Sequence, residues 1–312
     1  MIHIGNARTA LAAWLSARSR GGSFVWRLED LDPPRVVPGM AEAQLEDLAW
    51  LGLDWDEGPD LGGPHAPYAQ SQRSAVYEEA LRRLAAAERL FPCRLSRKDL
   101  QAIASAPHGA EAAPYPLALR PHSVEPDWFE RLRAAARPDA AIRFRVHSRP
   151  VSFVDRVYGP MTEQVDLAVG DFVLKRRDGL YAYQLAVVVD DLAMGIGDVV
   201  RGADLLASTA RQIQLVNALG GTPPDYAHVP LMVNARGEKL SKRDRGLALR
   251  SLREAGVRPE AVTGYLARSL GLIDRPEPCR PADLVPIFTW GMIGRAEWVV
   301  GEDLGAELAK SG

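Results

Sequence analysis

The sequence predicts an α/β protein, and three stretches carry that expectation. Between residues 171 and 205 a short strand (DFVLK) and the charged turn Lys175-Arg176-Arg177-Asp178 lead into an uncharged run at 185–189; the chain then returns past Gly195 and Gly197 into a second strand, DVVRG. An uncharged run of that kind is buried on most sides, whether helix or strand. Near the amino end, residues 7–18 place Ala10, Leu11, Trp14 and Leu15 on one helical face, and a strand-like SFVWRL follows. Further on, residues 229–234 (VPLMVN) read as a strand entering the tight loop Arg236-Gly237-Glu238 and then KLSKRD. Strands and helices alternating in this way make an α/β sheet the economical solution.

Taken in order, Asn6 is expected to cap the first helix and Gly21-Gly22 to end it. His3 and Gly5 then sit just before a helix N-terminus, a natural place for an anion. The strand at 23–28 runs into an acidic loop stopped by Pro33 and Pro34, with Asp30 and Asp32 read as structural or capping residues. Helices are expected at 38–51 and 74–90, a short strand at 90–93, and a small helix opened by Ser96 and Asp99. Residues 105–126 lose all periodicity under Pro, His, Ala and Gly and read as a long loop. A helix at 126–136 precedes strands at 141–146 and 151–157. Arg201 closes what reads as an interior strand, where an α/β sheet offers its ligand crevice. A helix at 204–219 has Asp204 as its expected cap, and 222–226 reads as a turn. Amphipathic helices at 247–254 and 259–270 end the regular pattern. The expected organisation is therefore one unit over 1–245 with a small α/β insertion at about 90–170, and a helical C-terminal region over 246–312.

Composition narrows the class. The chain has 312 residues, 47% of them hydrophobic and 25% charged, with a formal net charge of -2. That is a globular composition, and nucleic-acid binding would need a local basic patch. The two cysteines, Cys93 and Cys279, make no disulfide framework. No apolar run is long enough to span a bilayer, so a cytoplasmic protein without a membrane partner is expected, as a monomer.

His3-Ile4-Gly5-Asn6 at a helix start and Lys239-Leu240-Ser241-Lys242 in a Gly-flanked loop are each weak signals alone. Together, at opposite ends of an α/β region, they fit transfer of a nucleotidyl group from ATP to a carboxylate. That reaction needs donors at the α-phosphate and mobile cations on the departing pyrophosphate. An imidazole at a helix N-terminus supplies the first, and a closing lysine loop the second. Gly5 would let adenine or ribose lie against bare backbone. Asp190 and Asp191, after the apolar run, are caps or approach the ribose.

HIGNARTALAAWL, RLEDLDPPR, DLAVGDFVLKRRDGLYAYQLAVVVDD, VVRGADLL and EKLSKRD resemble the catalytic domain of class I glutamyl-tRNA synthetases over residues 2–250. The resemblance is greatest to the short paralogue family, the glutamyl-Q tRNA(Asp) synthetases, on the DPPR at 32–35, the RRDGLYAYQLAVVVDD wording and the short C-terminal region. It implies a Rossmann-like domain that activates L-glutamate with ATP and Mg2+, without needing tRNA for that step. Glutamate is then esterified to queuosine at the first anticodon position of tRNA(Asp). On the matching positions, His3, Gly5, Asn6, Lys239 and Lys242 would be catalytic, with His3, Gly5 and Lys242 on ATP. Glu29 would hold the α-ammonium of glutamate, and Tyr183 and Arg201 would line its pocket. The chemistry is coherent, because a zwitterion with a side-chain carboxylate needs a carboxylate for its amine and a guanidinium for its acid. The competing readings are a truncated glutamyl-tRNA synthetase charging the 3′ end of tRNA(Glu), and a non-catalytic RNA-binding remnant.

Two departures from the pattern matter. The family reaches its His-x-Gly motif from an upstream strand ending in an RFAPSPTG-like sequence; this chain opens Met1-Ile2-His3, so its start is expected to have been assigned too late. Many members also hold structural zinc with a Cys-x-Cys pair, a later Tyr and a further Cys. Here Cys93 and Tyr115 stand at two of those positions, while Leu95 and Leu119 fill the others. Structural zinc takes about four ligands, so the site is expected to be lost, with the leucines packed as an apolar plug. His108 and His122 would otherwise have to supply the missing ligands.

Overall fold

The computed structural model describes residues 2–96, 99, 114–135, 138–240, 245–301 and 303–310. Its elements run α1 (Ile4–Arg18), α2 (Met40–Trp50), α3 (Ser74–Ala86), β1 (Leu90–Cys93), α4 (Trp128–Ala134), β2 (Ala141–Phe144), β3 (Val151–Asp155), β4 (Gly159–Glu163), α5 (Val165–Ala168) and β5 (Phe172–Lys175). They continue with α6 (Tyr183–Ala193), β6 (Asp198–Gly202), α7 (Thr209–Ala218), β7 (Asp225–Val229), β8 (Met232–Val233), α8 (Leu249–Glu254), α9 (Pro259–Ser269), α10 (Pro281–Leu284), β9 (Trp298–Val299) and α11 (Leu304–Lys310). No described helix is long and apolar enough to cross a membrane.

Four strands in the order β4-β3-β7-β6 carry the ligand cleft. β6 and β7 run parallel from Asp198↔Asp225 to Gly202↔Val229, so Arg201 and His228 stand side by side. β6 lies at the edge of this sheet and not in its interior, with α1 packed against it. Ser16 Oγ donates to Asp198 at 2.6 Å, and Arg20 pairs with the same carboxylate, which fastens the helix alongside that strand. β7 begins at Asp225, earlier than the sequence suggested, and Pro230 breaks the ladder before β8. Pro lacks the N–H that a continuing strand would need.

A separate antiparallel sheet joins β1, β2 and β5. Residues 23–28, expected as a strand, instead run extended with single parallel bridges, Val25 to Glu57 and Leu28 to Ala69. α7 starts at Thr209, after a 3-10 stretch, so Asp204 is not its cap. Two apolar clusters hold the elements. One joins Leu11 and Leu15 of α1 to Leu249, Leu252, Val262 and Leu266, so the helices after the KLSKR loop share a core with the first helix. The other packs Tyr77 and Leu81 of α3 with Ile142, Phe144, Leu185 and Ile213. Truncating any one of these leucines to Ala costs about 2–5 kcal/mol.

α1 is tied to both neighbours by Arg8, which is 2% exposed. Its guanidinium donates to the carbonyls of Pro230 (2.9 Å) and Ser269 (2.6 Å), and burial lowers its pKa to about 10. The carbonyl end of α9 thus holds a buried cation, as a helix C-terminus does well.

Candidate active site

A cleft of about 990 Å³ opens above the carboxyl ends of β6 and β7. The start of α1, residues 23–29, α6, and the segments 201–205 and 230–232 line it. His3, Gly5, Asn6, Glu29, Tyr183, Arg201 and Lys239 all reach it, from five places in the sequence. Lys242 lies outside the described residues.

The α1 end shows how the His-x-Gly pattern works. His3, not Asn6, is the N-cap: its Nδ1 accepts from the backbone N–H of Gly5 (3.1 Å) and of Asn6 (3.3 Å). A neutral imidazole whose Nδ1 is an acceptor carries its proton on Nε2. His3 therefore offers an N–H donor at the mouth of a helix whose dipole favours an anion. A Cβ on Gly5 would stand 3.0 Å from His3 Cε1 and 3.1 Å from Nδ1. Any side chain there would push the ring off its cap, so Gly5 serves the imidazole as well as any ligand laid against it.

Arg27 dominates the opposite wall, and the sequence alone gives it no role beyond that of one more residue in an expected strand. Its guanidinium meets Asp191 at 2.7 Å, Glu29 at 3.2 Å and Asp190 at 3.8 Å. Burial works to lower its pKa, but Asp191, Glu29 and Asp190 together raise it above the usual arginine value. Glu29 keeps 43% of its side chain open to the cleft, yet dense protein around the carboxylate pushes its pKa up from 4.5. Arg27 works against that rise. Asp191 is likewise raised by burial, with Arg27 again opposing. Tyr183 is pushed up by burial and then by Glu29, while Arg201 works to lower it, so the three side chains share one electrostatic neighbourhood.

Asp190 does not approach a ribose. It is fully buried and accepts from Arg73 Nε (2.6 Å), Gln70 Nε2 (2.8 Å) and Tyr77 OH (2.9 Å). Those bonds fasten α6 to the start of α3. Asp30 accepts from the N–H (2.8 Å) and hydroxyl (2.6 Å) of Ser71, a structural role as expected.

Arg201 has a different kind of company. Nε donates to His228 Nε2 at 3.0 Å, one terminal nitrogen to Gln212 Oε1 at 2.7 Å and the other to Thr209 Oγ1 at 3.0 Å. Its Cζ lies 5.5 Å from the Tyr226 ring centre. None of these partners is a carboxylate, and among the described residues none pairs with Arg201. A guanidinium has five N–H groups, so this one keeps donors for something that enters the cleft, and a charge that Asp191 feels only without direct contact. At the cleft's other end Lys239 pairs with Asp204. A Cβ on Gly202 would come within 2.5 Å of Asp204 Oδ1, so the glycine leaves room for that carboxylate.

Comparison with known proteins decides the family. The profile of the tRNA synthetases class I (E and Q), catalytic domain, matches residues 1–291. A glutamyl-Q tRNA(Asp) synthetase of Symbiobacterium thermophilum is 49% identical over 94% of this chain and 90% of its own. The chain belongs to the glutamyl-Q tRNA(Asp) synthetase family of class I tRNA synthetases. A second such synthetase, from Nitratidesulfovibrio vulgaris, is 45% identical over 99% of this chain and 95% of its own. The crystal structure of a glutamate-tRNA synthetase from Elizabethkingia anophelis superposes with a TM-score of 0.84 at 29% identity, covering 98% of this chain and 67% of that one. The chain thus has the class I catalytic fold, is a ligase-type synthetase, and uses ATP as that class does.

The family's zinc position can be tested on the donors present. Cys93 and Tyr115 are buried with Phe91, and Leu95 and Leu119 pack against them. Cys93 Sγ lies 3.9 Å from Tyr115 OH, which itself donates to the Leu119 carbonyl at 3.2 Å. Burial, then Cys93, raises the phenol's pKa. One thiol and one committed phenol do not make a tetrahedral zinc site. His122 is exposed, and His108 lies outside the described residues.

Proposed function

We propose that the cleft activates L-glutamate with ATP and that the enzyme then transfers it to queuosine at the first anticodon position of tRNA(Asp). The observation that carries this reading is Arg201: a cation on the cleft floor whose hydrogen-bond partners are all neutral. A carboxylate-bearing side chain completes it, and Glu29 across the cleft suits the substrate's ammonium. The match to relatives named for glutamyl-Q tRNA(Asp) supports the acceptor.

In the first step an α-carboxylate oxygen of glutamate attacks the α-phosphorus of ATP, the bond to the β-phosphate oxygen breaks, and pyrophosphate leaves. His3 Nε2–H is the donor for the α-phosphate oxygens. Lys239 and Lys242 balance the growing charge on the leaving group, which requires Lys239 to exchange Asp204 for phosphate. Mg2+ enters with the nucleotide's phosphates. In the second step a hydroxyl of the queuosine cyclopentenediol attacks the activated carbonyl and AMP departs. Residues 1–245 would form the catalytic unit, with the insertion at about 90–170 facing RNA and 246–312 as its helical companion. The chain acts as a monomer in this reading and holds no structural zinc.

Labelled glutamate should pass, with ATP, to tRNA(Asp) that carries queuosine and not to tRNA(Asp) lacking it. Labelling of the 3′ end of tRNA(Glu) instead would point to an ordinary glutamyl-tRNA synthetase and overturn the assignment of the acceptor.

A further inference from the structure

Behind Arg201 lies a chain of buried groups that no step of the reaction uses. His228 and Asp155 are 0% and 1% exposed. His228 Nδ1 lies 2.6 Å from Asp155 Oδ2, while the other carboxylate oxygen accepts from the backbone N–H of Val157 and of Tyr158, both at 2.9 Å. A carboxylate only accepts, so the ring proton is on Nδ1. The far nitrogen, Nε2, is then a bare acceptor, and it receives Arg201 Nε–H at 3.0 Å. Thr209 Oγ1 stands 3.4 Å from the same nitrogen. On the other flank Gln212 Oε1 accepts from Arg201, its amide donates to Gln184 Oε1 at 2.8 Å, and the Gln184 amide donates to Ser208 Oγ at 3.2 Å. The links from Asp155 through His228 to Arg201 run in one direction, since the carboxylate only accepts and the guanidinium only donates.

We propose that Asp155 and His228 are positioning residues for the substrate: Asp155 sets the tautomer of His228, and that tautomer aims Arg201 without neutralising it. The inference deepens the glutamate reading of the cleft and rests on it for the identity of the ligand. A carboxylate placed directly on Arg201 would orient it equally well but would cancel the charge the substrate needs. An imidazole interposed between acid and guanidinium keeps the orientation and leaves the charge. The nearby Tyr226 ring, stacked near-parallel to His228 at 6.3 Å, limits any swing of the arginine out of line.

The decisive variant is Asp155→Asn. Its oxygen can still accept from Val157 and Tyr158, so its amide must face His228 Nδ1. That forces the ring proton onto Nε2, where it opposes the Arg201 N–H. The expected result is a glutamate KM raised by about 10- to 100-fold, the scale for misplacing a binding group by a fraction of an ångström to an ångström, with ATP KM and kcat changed less than about twofold. His228→Gln, whose amide oxygen can stand in for Nε2, should recover part of what His228→Leu loses. Nitrogen-15 spectra of the histidines give a readout independent of activity: His228 should be protonated at Nδ1 in the wild type and at Nε2 in Asp155→Asn. Wild-type protonation at Nε2 overturns the proposal. So does a glutamate KM that moves no more than the ATP KM while Tm falls, since that is a structural role alone. If the wild type shows the expected tautomer yet no glutamate-dependent ATP–pyrophosphate exchange, the relay stands and the glutamate reading of the cleft fails.

Discussion

Two arginines face the same cleft and are built for opposite purposes. Arg27 is surrounded by Asp191, Glu29 and Asp190, and its charge is spent inside the protein. Arg201 is held by an imidazole, an amide and a hydroxyl, and its charge is kept. Both are largely buried and both are oriented by hydrogen bonds, so burial and geometry alone do not separate them. The sign and number of their partners do. A cation whose partners are all neutral pays a desolvation penalty that only an anionic ligand relieves, whereas a compensated cation is part of the scaffold.

The largest expected effect follows from removing the kept charge. Arg201→Gln should lower kcat/KM for glutamate by roughly 10³-fold, the scale for deleting one partner of a buried charge pair, while ATP KM and Tm stay near wild type. If glutamate kinetics survive, Arg201 is scaffold like Arg27. The mirror experiment is Arg27→Gln, which strands three carboxylates together. Thermal or urea unfolding should show a loss of about 3 kcal/mol, with the loss easing as pH is lowered and the carboxylates take up protons. An unchanged Tm would mean the cluster is open to solvent and the contrast with Arg201 is lost.

Much of this cleft could be read from the sequence, and what could not has a physical reason. The His-x-Gly start and Arg201 beside a glycine are local patterns that lie on the cleft, while the uncharged run in α6 is core beneath it. The identity of the cap is not such a pattern, because Asn is the commoner capping residue and the capping lone pair of His3 depends on a ring orientation that no spacing encodes. The sequence suggests a later start for β7 because Pro223 and Pro224 point to a turn continuing through Tyr226, whereas β6 recruits the chain from Asp225 onward. β6 reads as an interior strand because apolar Val-Val pairs look the same under a helix as between strands. The Arg27–Asp191 and Asp155–His228 pairs cannot be seen in the sequence for a simpler reason: the partners lie 164 and 73 residues apart. The strands at 141–146 and 151–157 alternate clearly enough to be read, but spacing does not say that they part company, β2 pairing with β1 and β5 and β3 with β4 and β7.

The third effect sharpens the comparison with a site that has no charge at all. Where Cys93 and Tyr115 meet Leu95 and Leu119, apolar packing surrounds the thiol and the phenol. Elemental analysis of untagged protein should find no stoichiometric zinc, and Leu95→Asp should cost about 1–3 kcal/mol. About one zinc per chain would show that donors beyond Cys93 and Tyr115 complete a site.

The smallest effect is in the pH profile. Glu29 and Asp191 have folded-state pKa values above their ordinary 4.5 and 3.8, burial being the main cause. Folding therefore takes up protons at these groups. They cost stability at neutral pH, and that cost fades as pH falls through the raised values towards the ordinary ones. Binding has the opposite sign, because only ionised Glu29 attracts an ammonium. Glutamate KM should thus begin to rise on acidification at a pH above 4.5, while ATP KM holds. A KM flat down to that value would remove Glu29 from the ammonium site.

ATP–pyrophosphate exchange with glutamate, measured without any RNA, tests the central claim most directly. The pocket made by Glu29, Tyr183 and Arg201 is built from protein alone, so exchange should proceed with glutamate, be weak with glutamine, and not increase when tRNA is added. Exchange that requires tRNA, or that runs equally well with glutamine, would contradict the account.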